Sequence, residues 1–451
     1  MSDAAEGLPY PRRLWATLAV ASAIAMSVLD GSIANIALPV ISQDLHVTPA
    51  ESIWVVNSYQ LTITIALLSA AALGDIVGHQ RIFRFGVTVF TIASFGCAMS
   101  TSLDMLIAFR VLQGVGATGL FAVNAALVRF IQPRGQLGRG VAVNAMTVAI
   151  SSAAGPSLAA GILTIAPWPY LFFVNVPVGI AVLLFARALP TTPTTSHPFD
   201  WPGAILNALM FAFGITAVDG FGHGQPWPLA LAEAAMAVVV AVVLVRNQRG
   251  KKFPVLPVDL FAIPVFALSA LTSVLCFIGQ TMALVSMPFL FQARGMSSIQ
   301  TGLMITPWPI AMAICAPICG RMADRLPAGK LGSFGLSSMM VGMILIALAP
   351  ANESWLGMAW RMALCGIGFA FFQTPNNRLI ISSAPRERSG AGSGVLSSCR
   401  LLGQTLGAAL VAAVFGLTAS KGLEFGGELA LSIASCSALA GMIVSLLRLK
   451  V

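Results

Sequence analysis

The sequence predicts an all-α integral membrane protein of fourteen transmembrane helices, arranged as two pseudo-symmetric six-helix bundles with an inserted two-helix hairpin. Three observations carry this. Of 451 residues, 57% are hydrophobic and 9% charged, against roughly 45–50% and about 25% in soluble domains. The apolar residues come in long blocks, each near the about 20 residues that a helix needs to cross a bilayer. Residue pairs also recur between the two halves of the chain at a near-constant offset, the mark of a duplication.

The apolar spans run over 14–40, 53–73, 83–101, 103–131, 139–165, 169–189, 201–220, 228–246, 262–291, 300–323, 331–350, 354–382, 391–419 and 426–447. The first follows Arg12 and Arg13, as a signal peptide would, but it is too long for one and no small-residue cleavage site precedes a polar domain. It is read as the first helix. Spans 1–6 make the first bundle (1–190) and spans 9–14 the second (261–451). Spans 7 and 8 lie between (191–260), flanked by the Pro/Thr-rich stretch 190–198 and the basic stretch 246–252, and read as an inserted hairpin. Pro39/Pro288, Tyr59/Trp308 and Asp75/Asp324 are each 249 residues apart. After a three-residue shift the series continues with Gly114/Gly366, Gly116/Gly368, Asn124/Asn376, Pro133/Pro385 and Gly155/Gly407. Two related halves in a membrane typify secondary transporters, with the substrate site at their interface.

The charges orient the chain. Of 25 Lys and Arg, twenty fall in connections on the side of the N-terminus, and only Arg294 and Lys421 in the opposite ones. That asymmetry is the positive-inside pattern, and an even span count puts both termini in the cytoplasm, in a bacterial inner membrane. The basic balance is thus orientation, with nothing left over for nucleic acid. Seven scattered cysteines in apolar stretches form no disulfide framework. Cys315 and Cys319 are one helical turn apart with no further ligand beside them, so no metal site is expected.

Three bases, Arg110, Arg361 and Arg400, fall inside spans, and one acid, Asp30, lies well inside a bundle. A membrane-embedded acid costs roughly 2.5–3.5 kcal/mol and normally faces a cavity or a partner. At 1.5 Å rise per residue, Asp30 lies about 24 Å from the start of span 1. Arg110 lies about 20 Å from the same face of a core roughly 30 Å thick. The two therefore share a level, and protonating Asp30 would release whatever cation it holds. Arg361 is one residue out of register with Arg110, and Arg400 has no carboxylate in its own span. Glu233, in span 8, is assigned to the hairpin's lipid edge or packing.

The motifs resemble those of the major facilitator superfamily, in its fourteen-helix drug–proton antiporter branch, over nearly the whole chain. Span 1 ends in Leu29-Asp30-Gly31-Ser32-Ile33-Ala34-Asn35-Ile36-Ala37-Leu38-Pro39, and span 2 opens with Trp54-Val55-Val56 and reaches Tyr59. Leu73-Gly74-Asp75-Ile76-Val77-Gly78-His79-Gln80-Arg81 resembles the superfamily's cytoplasmic loop motif, with Ala71 at the leading glycine. Its second copy, Gly320-Arg321-Met322-Ala323-Asp324-Arg325, has Pro327 where glycine is usual. Arg110-Val111-Leu112-Gln113-Gly114-Val115-Gly116 is similar to the proton-coupling motif, and Ala154-Gly155-Pro156 to the antiporter motif. Phe173-Val174-Asn175-Val176-Pro177 and Asp200-Trp201-Pro202-Gly203 are typical of the branch.

The resemblance implies proton coupling at Asp30 and Arg110, gating loops at Asp75, Arg81, Asp324 and Arg325, and a helix kink at Gly155 and Pro156. Asn35, Trp54, Tyr59, Gln113, Gln280, Trp308 and Phe372 are the candidate cavity residues, with Met282, Met287 and Met304 as an adaptable apolar wall. The implied activity is proton-coupled export of amphipathic drugs, with lipophilic cations favoured by cation–π contact. It would be carried out by a monomer with no cofactor but the proton gradient. Asp30 is the lone acid inside either bundle, so neutral or anionic cargo stays open. A dedicated exporter of one metabolite or antibiotic is the alternative; a non-transporting sensor and an intramembrane enzyme are others. The enzyme needs a nucleophile–base pair or a metal cluster, whereas His46, His79, His197 and His223 fall in loops or at span ends. Gly114-Val115-Gly116-Ala117-Thr118-Gly119 spells a dinucleotide fingerprint, but inside an apolar helix it reads as close helix packing.

Overall fold

The structure is a computed structural model that describes residues 7–133, 136–194, 198–222, 225–249, 251, 258–323, 325–351, 353–383 and 389–449. Among them are fourteen helices long and apolar enough to cross a membrane. They are α1 (Arg12–Asp44), α2 (Pro49–Val77), α3 (His79–Ala98), α4 (Leu103–Ile131), α5 (Leu137–Ile165), α6 (Pro169–Ala188) and α7 (Trp201–Gly222). Then follow α8 (Trp227–Gln248), α9 (Pro264–Ala293), α10 (Ser298–Met322), α11 (Ala328–Ala347), α12 (Trp355–Ser383), α13 (Ser389–Leu417) and α14 (Leu423–Leu447).

Every expected span is a helix, and several start earlier than their apolar stretch. At two of them the reason is capping. Thr48 Oγ1 accepts the Glu51 N–H while the Glu51 carboxylate accepts the Thr48 N–H, so α2 begins at Pro49 rather than 53. Ser297 and Gln300 build the same reciprocal box at the start of α10. Such a box satisfies donors that a helix start otherwise leaves open, and the two boxes occupy repeat-related positions.

The repeat extends to atomic contacts. Helices α3 and α4 pack together as α11 and α12 do, α2 on α4 as α10 on α12, and α1 on α5 as α9 on α13. A Cβ at Gly116 would fall 2.8 Å from the Gly86 carbonyl oxygen, and one at Gly368 2.5 Å from that of Gly335. Gly155 likewise closes on Ser32, and its partner Gly407 on Thr281. Small residues let the backbones approach this closely. The halves meet through α2 with α13, α5 with α10, and α1 with α9. The hairpin α7–α8 packs on itself, and α7 lies against α13 and α2.

Two faces can be distinguished: the one carrying the chain termini and the opposite one. Toward the opposite face one apolar cluster joins the halves, running from Ile36, Ile41 and Phe172 to Phe289, Phe291 and Phe415. Toward the terminus face the buried residues divide into two clusters. One is around Phe83, Val87 and Leu127, the other around Phe266, Ile380 and Val395. One apolar cluster spans both halves toward one face; toward the other the buried residues fall into two clusters, the first of which also takes in Leu401 of the second half.

Candidate functional site

Asp30 and Arg110 come together. Their depths, read from opposite ends of α1 and α4, place them at one level, and Arg110 Nη1 donates to Asp30 Oδ2. Asp30 is 1% exposed and Arg110 fully buried. Asp30 Oδ1 also accepts from Gln113 Nε2 at 2.9 Å and from Asn175 Nδ2 at 2.8 Å. Arg110 Nε donates to the Val55 carbonyl at 2.7 Å, and Nη1 to Gln113 Oε1 at 2.6 Å. Gln113 Nε2 passes a second bond to Ser94 Oγ at 2.8 Å. A buried ion pair persists only when further hydrogen bonds satisfy most of its remaining lone pairs and protons; the two amides and the carbonyl do that here for the carboxylate, Nε and Nη1, while Arg110 Nη2 is buried without a partner among the described residues. The cluster is confined to the first half. At the repeat-related positions of the second half stand Gly279, Met362 and Cys365 in place of Asp30, Arg110 and Gln113.

Tyr59 is the lid of this cluster. The Arg110 guanidinium carbon lies 4.2 Å from the Tyr59 ring centroid, and 5.5 Å from that of Phe172. The Tyr59 hydroxyl makes a long contact, 3.5 Å, to the Ser27 carbonyl. Tyr59 and Ser27 also line a cavity of about 240 Å³ between the halves. Its walls come from repeat-related positions: Tyr59 with Trp308, Gly31 with Gln280, Phe121 with Gln373, and Val148 with Arg400. One aromatic ring therefore separates the buried ion pair from a ligand-sized cavity.

Of the expected cavity residues, Asn35, Tyr59, Gln280 and Trp308 line it. Three do not. Gln113 belongs to the ion-pair network, because its amide is the right length to bridge Asp30 and Ser94. Phe372 is fully buried in the second half's core, its ring against Gly332. Trp54 stands at the start of α2, half-buried and outside the cavity lining. Met282, Met287 and Met304 are core residues too, and the methionine on the wall is Met312. Gln60, Gln373 and Gln404 line the cavity and were not singled out. Their signal in sequence is that of an amide within an apolar span, which they share with Asn57 and Asn376. Asn175 is marked in the sequence only by its place in the Phe173–Pro177 motif, and Ser94 carries no signal there.

Arg400 lines the cavity, its guanidinium carbon 5.7 Å from the Phe121 ring centroid. Arg361 does not; it pairs with Glu353 near the start of α12 and also donates to the Gly357 carbonyl at 2.9 Å. Glu233 is half-buried on α8, away from the cavity. Gly155 packs on Ser32, and Pro156 sits at the seam between the halves: a Cβ at Gly302 of α10 would come 2.7 Å from the Pro156 carbonyl oxygen. One residue on, Ser157 Oγ lies 3.0 Å from Thr306 Oγ1. At the terminus face, the Asp75 carboxylate meets His79 at 3.2 Å, and Arg81 donates to the Val77 carbonyl at 3.4 Å. Arg325 is exposed, and Asp324 lies outside the described residues. Among the described residues there is no metal-binding cluster of His, Cys, Asp and Glu.

A family model described as Major Facilitator Superfamily matches residues 20–408. The uncharacterized transporter YebQ of Escherichia coli (strain K12) is 51% identical over 412 residues, 90% of each chain. The riboflavin transporter RibZ of Clostridioides difficile (strain 630) is 31% identical, covering 89% of this chain and 88% of that one. The multidrug export protein EmrB of Escherichia coli (strain K12) is 30% identical, covering 87% and 78%.

Proposed function

The chain belongs to the major facilitator superfamily, a multi-pass membrane transporter rather than an enzyme, and from that premise we propose that it is a proton-coupled antiporter. In this reading it exports amphipathic small molecules by alternating access. The observation that carries the reading is the sealed Asp30–Arg110 pair, stacked behind a ring that forms part of the cavity wall.

Protonation of Asp30 removes the charge that holds Arg110. The guanidinium, still bonded to Val55, loses its main acceptor and presses on Tyr59. Tyr59 then moves into the cavity and excludes the cargo; a bound cargo holds Tyr59 back and keeps the pair intact. Coupling is thus steric and reciprocal, whatever the charge of the cargo. The shared cluster toward one face and the two clusters toward the other support the alternating part, since cavity access changes as the halves rock about the site. The twenty Lys and Arg on the terminus side support a cytoplasmic position for that face in a bacterial inner membrane, and in this reading the arrangement described is the inward-facing one. The unit in this reading is the monomer, which the lining of the cavity by both halves of one chain supports.

The test is substrate-dependent proton movement in proteoliposomes. The wild type acidifies or alkalinises the lumen as cargo crosses, and Asp30→Asn abolishes pH-driven transport while still binding cargo. Intact pH-driven transport by Asp30→Asn overturns the coupling site. A second reading, a dedicated transporter of one metabolite, draws support from the relative named for riboflavin. A susceptibility panel against a single-compound transport screen separates it from broad drug export, which the relative named for multidrug export supports.

A further inference from the structure

Lipophilic cations were favoured through cation–π contact, and the embedded acid that could add to that attraction, Asp30, does not face the cavity. Its carboxylate is spent on Arg110, Gln113 and Asn175, and it is absent from the lining. The charged group that the wall does carry is itself a cation, Arg400. Its Nε is buried without a hydrogen-bond partner, and no carboxylate pairs with it among the described residues. Its repeat-related position is Val148, which also lines the cavity, so the charge is not a remnant of symmetry. A guanidinium held in a low-dielectric cavity without a counter-charge is an unpaired group that an incoming anion satisfies, and its planar fork matches a carboxylate bidentately.

The rest of the wall adds the other half of the chemistry. Gln60, Gln280, Gln373 and Gln404 supply amides, and Trp308 Nε1 and Asn35 Oδ1 are buried polar atoms with no partner among the described residues. Phe121, Phe277, Phe369 and Trp308 give flat apolar surface beside them. A pocket of apolar surface with a few convergent polar groups fixes both the orientation and the identity of its ligand.

We propose that the cavity binds an amphipathic organic anion: a flat apolar body whose carboxylate, or similar acidic group, seats on Arg400. This rests on reading the cavity as the cargo site, and it is tested by binding alone, with no gradient and no transport step. A failed transport assay and a failed charge preference are therefore distinct results.

The probes are naphthalene-2-carboxylate, 2-naphthamide and 2-naphthylmethylammonium, which share one ring system and differ in charge. Binding is measured by calorimetry on the full chain in phosphatidylcholine nanodiscs, where no anionic lipid competes. Wild type binds the carboxylate tightest, and the ammonium weaker by on the order of tenfold or more, the scale of one desolvated charge pair. Arg400→Gln removes the preference, so that the carboxylate no longer binds more tightly than the amide, whereas Arg400→Lys keeps a reduced preference. Equal or tighter binding of the ammonium by wild type overturns the assignment, and so does a preference that survives Arg400→Gln. The wild-type order of affinities stands as a test even if the Gln variant does not fold.

Discussion

Tyr59 makes an unusual demand of one side chain: its ring is a wall of the cavity on one side and a stacking partner for Arg110 on the other. A guanidinium over an aromatic face is worth roughly 0.5–2 kcal/mol, enough to keep the two moving together and little enough to be overcome when Asp30 is protonated. The hydroxyl contributes less, since its contact with the Ser27 carbonyl is 3.5 Å long. The ring and the hydroxyl therefore separate by substitution. Tyr59→Phe is expected to keep pH-driven transport within about twofold of wild type, as the stacking is retained. Tyr59→Ala is expected to bind cargo but leak, with counterflow continuing and proton coupling lost. Proteoliposome assays run with and without a pH gradient check this, and full coupling in Tyr59→Ala would remove the ring from the mechanism. The contrast with Phe372 shows why single residues were hard to place from sequence. Both are aromatic and lie in membrane spans, but the choice between wall and core depends on which side of its helix the partner half approaches. Apolar spans with weak amphipathicity do not record that direction.

At the level of elements, the sequence was more forthcoming where local chemistry repeats. The capping pairs Thr48/Glu51 and Ser297/Gln300 mark helix starts that the apolar windows overlooked. The glycines at constant offset are the positions where helices touch backbone to backbone. The inserted hairpin is held by its own clamp. Asp200 Oδ1 accepts the Gly203 N–H at 3.0 Å, capping α7, and its two oxygens take Lys251 Nζ at 2.8 and 2.9 Å and Gln248 Nε2 at 2.8 Å from the end of α8. Burial pushes the Asp200 pKa up, but the hydrogen bonds from Lys251, Gln248 and Gly203 outweigh it and hold it below the ordinary carboxylate value. A folded pKa that is depressed gives stabilisation in full above the unfolded value, lost as pH falls through the folded one. Asn can keep the cap, so Asp200→Asn is expected to cost about 0.5 kcal/mol at neutral pH, the scale of its partly exposed ion pair with Lys251. The gap from wild type should persist to about pH 4 and close only below it. Thermal unfolding in nanodiscs across that range measures it, and a gap that closes near pH 6 would contradict the assignment.

For the whole molecule, the asymmetry between the halves matters more than their likeness. The duplication builds one frame twice, then places the ion pair only in the first half and the cavity's cation only in the second. Sequence showed both charges as exceptions in apolar spans, but not that one faces inward to a partner and the other outward to a cavity; that depends on how the halves meet. The placement has an electrical consequence. If the cargo is a monovalent anion leaving as one proton enters, both movements carry charge in the same sense, two charges per cycle. Each charge crossing the bilayer is worth about 2.3 kcal/mol per 100 mV, so an interior-negative potential of that size would contribute about 4.6 kcal/mol per turnover. Export of a monovalent cation for one proton would gain nothing from the potential. Proteoliposomes carrying a valinomycin-set potassium potential at equal pH on both sides distinguish the two. Initial rates of naphthalene-2-carboxylate movement are expected to rise steeply with a potential negative on the terminus side and to fall when it is reversed. Rates indifferent to the potential would mean electroneutral exchange, and Arg400 would then be a structural cation whose charge the cargo does not answer.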